Sequence, residues 1–522
     1  MSVLHRGRPA VLSALLLALA LVLTGCTSFA ERSADESAAP ATSTAAEPDV
    51  EAIEWNDCNE QIQPLIAARP GSDRNLTFSC GTTEVPINYD EPGGATLPLF
   101  LVRVVMAGQT DRIGSLMINP GGPGASGADA AIGLALTLPE TVLQRFDLVG
   151  FDPRGVGLST PVECIPTELK ERMIAAPPRP TTDEQLDEVF GLVDEVADGC
   201  EKEYGDALGT FNTVDTARDM DRLREALGDE QLTYLGYSYG TTLGSTYAEL
   251  FPDKVRALVL DAVVDPDGDE ATRAEEGAAA LEAGFDAFAA NCTALIAGCP
   301  IGANPRQYVD DLMAKADQEP IPSSKPEEER RATAGVVLTA IQAALYDTGS
   351  WPQLAQALAA AGQGDAAAVF SLADSYTGRL ADGSYSNLLD ANLAINCADT
   401  KTTFEESEVR DLIASWNATY PLFGASSALG LYNCSPWDAE RTPVPARDAE
   451  GSDPILVVGN SGDPVTPLPG AVDLAEDLES GVLLTWQGLG HTAYPKNECV
   501  NAAVNAYLID LVAPLDGLTC PA

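Results

Sequence analysis

The sequence predicts an α/β fold in which a central sheet is interrupted by a large helical insertion. Three observations predict it. Short apolar runs alternate with helical patterns before residue 268, residues 268–448 are Ala-rich with helical spacing, and strand patterns return after residue 448. The chain has 522 residues, of which 45% are hydrophobic, so a sizeable core can form. We therefore expect a core from 51–267 and 449–522, with 268–448 inserted.

Each expected element follows from its own pattern. Strands are predicted where short β-rich or apolar runs occur, at 97–106, 115–118, 146–151, 231–235, 255–264, 454–458 and 481–486. Helices are predicted where apolar residues recur at three- and four-residue spacing, at 216–227, 241–251, 276–290, 335–346 and 498–511.

The charge and the histidine count exclude two classes of function. The chain has 30 Lys and Arg against 78 Asp and Glu, a net charge of −48, which repels phosphate backbones and excludes nucleic acid as an expected partner. Only His5 and His491 occur, which excludes most histidine-built metal sites. We expect neither a metal nor an organic cofactor.

The N-terminal segment has the pattern of an export signal. Residues 1–25 combine a basic start with an apolar run of 13 residues, from Val11 to Leu23, which is too short to span a bilayer. The run ends in Leu23-Thr24-Gly25-Cys26, which resembles the bacterial lipobox and predicts a lipidated Cys26. The alternative is a plain signal peptide followed by an accidental cysteine. Residues 26–50 are poor in large apolar groups, so they are expected to form a flexible tether.

The cysteine count agrees with export. Of 11 cysteines, ten are left if Cys26 is lipidated, an even number suited to disulfides. No CxxC pair occurs, which makes a zinc site a poor alternative. Because many pairings are possible, the connectivity is a hypothesis based on sequence neighbours: Cys58–Cys80, Cys164–Cys200, Cys292–Cys299, Cys397–Cys434 and Cys499–Cys520.

A G-x-S-x-G pentapeptide indicates the reaction class. Gly236-Tyr237-Ser238-Tyr239-Gly240 follows a predicted strand and precedes a predicted helix, which is the context of a nucleophile elbow. Such a turn exposes the serine Oγ at the carboxyl edge of a sheet. The pentapeptide alone is often accidental, so the prediction depends on this context.

A serine nucleophile needs a base and an acid. His491 is the one histidine beyond the signal segment, and it follows a late strand. Asp463 follows the strand 454–458 and completes the order Ser…Asp…His. Asp463 could instead be a turn residue before proline, and Asp261 and Asp265 are its competitors for the acid position.

Two backbone N–H groups are needed for the oxyanion. Tyr239 is expected to supply one, because it directly follows Ser238. The other is expected from the Gly-rich loop 119–124 after the strand 115–118, where the backbone can approach a substrate carbonyl closely. The loop lacks the Lys-Ser/Thr ending of a P-loop, so a phosphate cradle is the weaker interpretation.

Five motifs in a fixed order make the chain resemble a known family. They are NPGGPGASG (119–127), FDPRGVGLST (151–160), GYSYG (236–240), GDPVTP (462–467) and GLGH (488–491). Together they resemble the secreted tripeptidyl aminopeptidases of actinobacteria, a branch related to the prolyl aminopeptidases. The segment 80–90 resembles the entry strand of that branch, and the stretch from about 410 resembles its end region.

The resemblance implies an α/β-hydrolase fold with the helical insertion as a cap, placed before the strand that bears the acid. It implies Ser238 as nucleophile, Asp463 as acid and His491 as base, with Gly122 and Tyr239 as the oxyanion hole. The prolyl branch usually opens its oxyanion loop with a histidine, where this chain has a proline at position 120. The arginine of the 151–160 motif, Arg154, is expected to be structural.

The implied activity is that of an exported serine exopeptidase that releases short peptides, tripeptides above all, from free N-termini. A buried substrate ammonium group needs a carboxylate partner, and Asp399 in the cap is the candidate. A solvated Asp399 is the competing interpretation. The alternatives are a carboxylesterase or lipase with the same triad and, more remotely, a non-catalytic peptide-binding envelope lipoprotein. The expected partners are peptides with a free N-terminus, with membrane contact only through the lipid on Cys26.

Overall fold

The computed structural model describes residues 50–266 and 268–522. The predicted signal peptide 1–25, Cys26 and all but the last residue of the predicted tether lie outside the described residues. Within the described ranges, no helix combines the length and the apolar character needed to cross a membrane.

A ten-stranded mixed sheet forms the centre of the fold, in the order β1-β2-β3-β5-β4-β6-β7-β10-β11-β12. Its strands are β1 (Asn56–Asp57), β2 (Leu76–Pro86), β3 (Thr96–Met106), β4 (Gly114–Asn119), β5 (Phe146–Phe151), β6 (Leu232–Tyr237), β7 (Val255–Asp261), β10 (Ile455–Gly462), β11 (Gly481–Leu489) and β12 (Leu518–Cys520). A separate two-stranded hairpin consists of β8 (Ile321–Pro322) and β9 (Arg331–Ala332).

The sheet is antiparallel from β1 to β5 and parallel from β5 to β12. Strands β4, β5 and β6 are buried at every residue, as expected for parallel strands covered by helices on both faces. All seven strands predicted from apolar runs are present. The β7 strand ends at Asp261 rather than at residue 264, because the chain turns there through a positive φ of 65° at Ala262.

Seventeen α-helices are described in residues 50–266 and 268–522. They are α1 (Asn59–Ile66), α2 (Gly127–Leu134), α3 (Glu140–Leu143), α4 (Thr167–Ala175), α5 (Asp183–Tyr204), α6 (Thr213–Leu227), α7 (Tyr239–Leu250), α8 (Glu270–Thr293), α9 (Pro305–Gln318), α10 (Ala334–Leu345), α11 (Trp351–Gly362), α12 (Ala367–Thr377), α13 (Leu388–Asp399), α14 (Glu406–Thr419), α15 (Gly424–Gly430), α16 (Leu468–Asp477) and α17 (Glu498–Asp510). Short 3₁₀ turns lie at Gly205–Thr210, Pro252–Lys254 and Thr348–Ser350.

Helices α8–α15 lie between β7 and β10 in the chain and form the helical cap, as predicted. The cap has its own apolar core, which includes Phe285, Phe288 and Trp351. A second, smaller cluster joins Phe190 of α5 to cap residues such as Trp416. Helices α1 to α5 and α16 were not predicted from the sequence, and α5 packs partly on the cap.

The five expected disulfides are all formed in the structure: Cys58–Cys80, Cys164–Cys200, Cys292–Cys299, Cys397–Cys434 and Cys499–Cys520. Each closes a local loop of 7 to 37 residues. Cys397–Cys434 ties α13 to the segment after α15, so the helix that carries Asp399 is covalently fixed within the cap.

Arg154 is a structural residue, as expected. Its fully buried guanidinium donates to both oxygens of Asp219, at 2.8 and 2.7 Å, and to the backbone carbonyls of Pro86, Ile87 and Thr210. Tyr89 donates a further hydrogen bond to Asp219 at 2.7 Å. The buried charge of Arg154 is therefore paired, and its N–H groups have hydrogen-bond acceptors. These bonds join β2, the loop after β5 and α6.

Removing one partner of this buried ion pair should strongly destabilise the fold. We expect Asp219→Asn to lower the free energy of unfolding by about 3 kcal/mol, because it leaves the buried guanidinium with Asp215, whose Oδ2 lies 3.6 Å from Nη1, as its remaining charged partner. Denaturant unfolding with the disulfides intact measures this. The control is Arg172→Ala, which removes an exposed ion pair with Glu195. It should change the free energy of unfolding by less than about 1 kcal/mol. Equal effects of the two substitutions would contradict this account of Arg154.

Candidate active site

Ser238 lies in a strained turn between β6 and α7. Its φ is +55°, a left-handed conformation that non-glycine residues rarely adopt. The flanking glycines are sterically required. A Cβ on Gly236 would lie 2.3 Å from the carbonyl oxygen of Gly240, and one on Gly240 would lie 2.8 Å from that of Asn119. The turn thus has the strand–turn–helix geometry of a nucleophile elbow.

The loop after β4 packs directly against this elbow. A Cβ on Gly121 would lie 2.9 Å from the Cβ of Ser238 and 3.0 Å from the backbone nitrogen of Tyr239. The Gly121 N–H is already used, since it donates to Asn119 Oδ1 at 2.9 Å. Within the described residues, the N–H groups of Gly122 and Tyr239 have no hydrogen-bond partner. Two donors are therefore free beside Ser238, as an oxyanion hole requires.

His491 is paired with Asp463. The Nδ1 atom of His491 lies 2.9 and 3.0 Å from the two carboxyl oxygens of Asp463. Asp463 Oδ1 also accepts hydrogen bonds from the N–H groups of Val465 and Thr466, at 2.9 and 3.0 Å, and its Oδ2 accepts one from Thr466 Oγ1 at 3.2 Å. The carboxylate is fixed by the turn that follows it, so it can hold the imidazole in one tautomer with Nε2 available as a base.

The hydroxyl of Ser238 is not bonded to the imidazole in the structure. Within the described residues, no hydrogen bond joins Ser238 Oγ to His491. Bonds between nucleophile and base are commonly long before substrate binds.

Asp261, a competing candidate for the acid, has a different task. Its fully buried carboxylate accepts hydrogen bonds from the backbone N–H groups of Ala493 and Tyr494, at 3.0 and 2.8 Å. Burial raises its pKa to about 6, and these N–H bonds oppose the shift. Asp261 therefore fixes the backbone after His491 rather than the imidazole. The other competitor, Asp265, accepts from the Gly268 N–H at 3.0 Å and lines the cavity in front of Ser238.

The cap contributes directly to the surroundings of the base. The carbonyl of Tyr346, just after α10, accepts the backbone N–H of His491 at 2.8 Å. The Tyr346 ring packs on the imidazole with ring centres 5.1 Å apart and planes at 78°. The Tyr346 hydroxyl lies 3.2 Å from that of Tyr376. The imidazole is thus held by a core carboxylate on one side and by a cap tyrosine on another.

The comparisons with known proteins agree with this geometry. The profile of a family described as alpha/beta hydrolase fold matches residues 114–497. The chain is an α/β-hydrolase. It is 36% identical to the serine protease Hip1 of Mycobacterium tuberculosis over 98% of both chains, and 36% identical to carboxylesterase B of the same organism over the whole of both. It is 30% identical to the tripeptidyl aminopeptidase of Streptomyces coelicolor, over 94% of this chain and 90% of that one. The resemblance to tripeptidyl aminopeptidases is confirmed.

In this hydrolase, a cavity of about 520 Å³ opens in front of the elbow and is lined by Ser238, Tyr239, Gly122 and the cap residue Asp399. Both oxygens of Asp399 accept hydrogen bonds from Thr213, one from its N–H at 2.9 Å and one from its Oγ1 at 2.6 Å. In the structure, the carboxylate of Asp399 is therefore bonded to Thr213 rather than free in solvent. Burial raises its pKa to about 7, while the Thr213 bonds and the nearby Arg447 oppose the shift.

Four residues at this site were missed by sequence reasoning: Thr213, Tyr346, Thr466 and Asn392, whose Nδ2 donates to the carbonyl of Pro123 in the loop after β4. Thr466 lies within the GDPVTP motif, so its place beside Asp463 could have been inferred from a local turn. The other three are brought in from α6 and the cap, and no local pattern marks them. In the part of the chain that the structure describes, no group of three or more His, Cys, Asp or Glu could hold a metal ion.

Substitution of Asp463 should lower kcat far more than substitution of Asp261. We expect Asp463→Asn to lower kcat for a short-chain nitrophenyl ester by about 10⁴-fold, with KM unchanged, because the imidazole loses the group that sets its tautomer and balances its charge. We expect Asp261→Asn to lower kcat by less than about tenfold, because the Asp261 carboxylate bonds only backbone N–H groups and not the imidazole. Steady-state kinetics measures both. A greater loss of kcat in Asp261→Asn would reverse the assignment of the acid.

Proposed function

We propose that the protein is a serine exopeptidase that releases short peptides, tripeptides above all, from the free N-termini of polypeptides through an acyl-enzyme on Ser238. One observation carries the proposal: the cavity in front of the elbow is lined at once by Ser238, by the two free N–H donors and by the carboxylate of Asp399. The similarity to the proteins named serine protease and tripeptidyl aminopeptidase supports peptides as the substrates.

In the first half-reaction, Ser238 Oγ attacks the carbonyl carbon of the scissile amide and its proton passes to His491 Nε2. The carbonyl oxygen becomes negative and accepts hydrogen bonds from the N–H groups of Gly122 and Tyr239. Asp463 stabilises the imidazolium that forms. His491 then donates this proton to the leaving nitrogen, the C–N bond breaks, and the acyl group stays on Ser238 as an ester.

In the second half-reaction, a water molecule attacks the ester carbonyl and gives its proton to His491. The same two N–H groups stabilise the second oxyanion. The C–O bond to Ser238 breaks, the serine recovers its proton from His491, and the short peptide leaves with a free carboxylate.

Asp399 is proposed to bind the ammonium group of the substrate. An ammonium buried without a partner is strongly unfavourable, and a carboxylate in the same cavity removes that penalty. Carboxylates outnumber basic groups in the cavity lining, where Asp265, Asp269, Glu270 and Glu276 accompany Asp399. Burial and the nearby Asp265 raise the pKa of Glu276, which reflects this excess of negative charge. The lining thus favours a cationic peptide terminus.

A second candidate function is ester hydrolysis with the same triad. The 36% identity to the protein named carboxylesterase B is the observation that favours it. An ester has a better leaving group than an amide, and the acyl-enzyme steps are otherwise shared. A requirement for a free amine separates the two functions, because a carboxylesterase has no use for Asp399 as a cation site.

We also propose that the protein is exported and held at the outer face of the cytoplasmic membrane through a lipid on Cys26. Five disulfides in the folded part support an oxidising compartment, because disulfides persist outside the reducing cytosol. The lipobox pattern at residues 23–26 supports the anchor. Mass spectrometry of the membrane fraction tests it: a diacylglycerol adduct on an N-terminal Cys26 is expected, and an unmodified Cys26 would contradict the anchor.

Blocking the substrate amine should abolish peptide turnover. We expect the protein to hydrolyse a free-amine tripeptide anilide, with the N-acetylated twin at least about 100-fold slower in kcat/KM, because the acetyl group removes the charge that Asp399 pairs with. Release of the aniline chromophore measures both. Ser238→Ala is the control and should reduce turnover of either substrate to background. Equal rates for the two anilides, or ester turnover without anilide turnover, would favour the carboxylesterase.

The preference for a free-amine peptide over an ester should pass through a maximum as the pH is varied. The pKa of Asp399 is raised to about 7, so its charge is lost as the pH falls through 7. A peptide α-amine has a pKa of about 7.7–8.0 and loses its charge as the pH rises. The ratio of kcat/KM for the peptide to that for an ester, in which the contribution of His491 cancels, should therefore peak between about 7 and 8.

The low-pH limb of this profile is the part that depends on Asp399. In Asp399→Asn the ratio should be low throughout and should no longer fall as the pH drops from 8 to 5, because the carboxylate that pairs with the substrate amine is gone. An unchanged low-pH limb in Asp399→Asn would assign the titration to another group and remove Asp399 from the amine site.

A further inference from the structure

We propose that helix α13 is the positioning element of the oxyanion hole, and that Asp399 aligns the donor of Tyr239 through Thr213, so that the amine site and the oxyanion hole form one hydrogen-bonded unit. The oxyanion part of this inference rests on the proposed acyl-enzyme chemistry, and the amine part rests on the proposed exopeptidase function.

The first observation is a chain of hydrogen bonds that ends at the oxyanion residue. Thr213 Oγ1 lies 2.6 Å from Asp399 Oδ2 and 2.5 Å from the hydroxyl of Tyr239. A threonine hydroxyl has one proton, and an ionised carboxylate can only accept. Thr213 therefore donates to Asp399, and Tyr239 donates to Thr213. The charge state of Asp399 sets the direction of every bond in the chain.

The second observation is that both ends of Tyr239 are constrained. Its backbone N–H follows the strained Ser238, and its ring extends to a hydroxyl that is held by Thr213. Thr213 is fully buried and Tyr239 is nearly so, with 7% of its surface exposed. Thr213 is also the first residue of α6, which packs against α7, the helix that begins at Tyr239. Fixing the hydroxyl therefore restricts the orientation of the peptide group that carries the N–H.

The third observation is independent and concerns the other donor. Asn392, two turns before Asp399 on α13, donates from Nδ2 to the carbonyl of Pro123 at 3.0 Å. The next residue, Gly124, packs so closely that a Cβ there would lie 2.8 Å from the backbone nitrogen of Asn392. Pro123 directly follows Gly122. One helix thus contacts the loop that carries the Gly122 donor directly and reaches Tyr239, which carries the other donor, through Thr213.

The competing interpretation is that Asp399 only attaches the cap to the N-terminus of α6. The Thr213 N–H donates to Asp399 Oδ1 at 2.9 Å, and a carboxylate at a helix N-terminus is favourable in itself. Under that interpretation, the hydroxyl chain from Thr213 to Tyr239 has no bearing on turnover once the protein is folded. Kinetics on a substrate without an amine separates the two.

The experiment measures kcat and KM of the full chain for a short-chain nitrophenyl ester and a free-amine tripeptide anilide. We expect Thr213→Val to lower kcat about tenfold for both substrates with KM unchanged, a smaller loss than the roughly hundredfold or greater loss on removing an oxyanion donor. Thr213→Ser keeps the hydroxyl and should stay within about twofold of the unsubstituted protein. Both substrates respond because both form an oxyanion.

The matched control is Thr246→Val. Thr246 is also fully buried, but its hydroxyl bonds only the carbonyl of Thr242 in its own helix, so kcat should be unchanged. Asp399→Ala should lower the ester kcat by the same factor as Thr213→Val, and the double variant should fall no further, because the two substitutions break one chain. Only Asp399→Ala should raise KM for the peptide.

Three results would overturn the inference: an ester kcat within twofold of the unsubstituted protein in folded Thr213→Val, losses that multiply to about a hundredfold in the double variant, or a Thr246→Val variant as slow as Thr213→Val.

If Thr213→Val does not fold, Tyr239→Phe gives the same test, because it keeps the N–H and removes only the hydroxyl. An unchanged ester kcat in Tyr239→Phe would then overturn it. Failure of the peptide to react, with the ester losses as expected, would contradict the exopeptidase function and leave the oxyanion alignment standing.

Discussion

The attachment of α13 to the carboxyl edge of the sheet is the interaction on which the site depends. Just before the helix, Asn387 donates to the carbonyls of Gly155 and Val162 at 2.7 and 3.1 Å and accepts the N–H of Gly157 at 3.0 Å. Within it, fully buried Asp390 accepts two backbone N–H groups and pairs with Lys170 at 2.6 Å. Buried polar groups satisfied in this way specify one arrangement, because any other leaves them unpaired. The cap is therefore held in one position on the core.

This fixed position matters because the elbow itself is strained. Ser238 has a positive φ, and such a conformation persists only where its surroundings over-determine it. The Gly121 loop packs on one side of the turn, while the backbone N–H of Ser238 donates to the carbonyl of Asp261 at 3.0 Å. The tyrosine that follows is held through Thr213. A rigid sheet edge and a fixed cap helix thus maintain a geometry that the local chain would not adopt alone.

The parts of the fold that could be predicted from the sequence are those set by local patterns. The mostly apolar strand Phe146–Phe151 and the Gly-x-Ser-x-Gly elbow needed no long-range information. The choice between Asp463 and Asp261 was also open to sequence reasoning, because Asp463 directly follows β10, and the next strand along the chain, β11, leads to the histidine loop. Thr213 could not be found in this way. Thr213 is 26 residues from Tyr239 and 186 residues from Asp399 along the chain. Only the folded chain brings the three residues together.

The proposed function depends on one step, the acylation of Ser238 by a peptide with a free N-terminus. The direct measurement is mass spectrometry of the protein quenched with acid during turnover of a free-amine tripeptidyl nitrophenyl ester, followed by mapping of the modified segment. We predict one tripeptidyl adduct, located on Ser238, and none with the N-acetylated ester. An adduct on another residue would contradict Ser238 as the nucleophile, and equal labelling by the free and blocked esters would contradict the requirement for a free N-terminus.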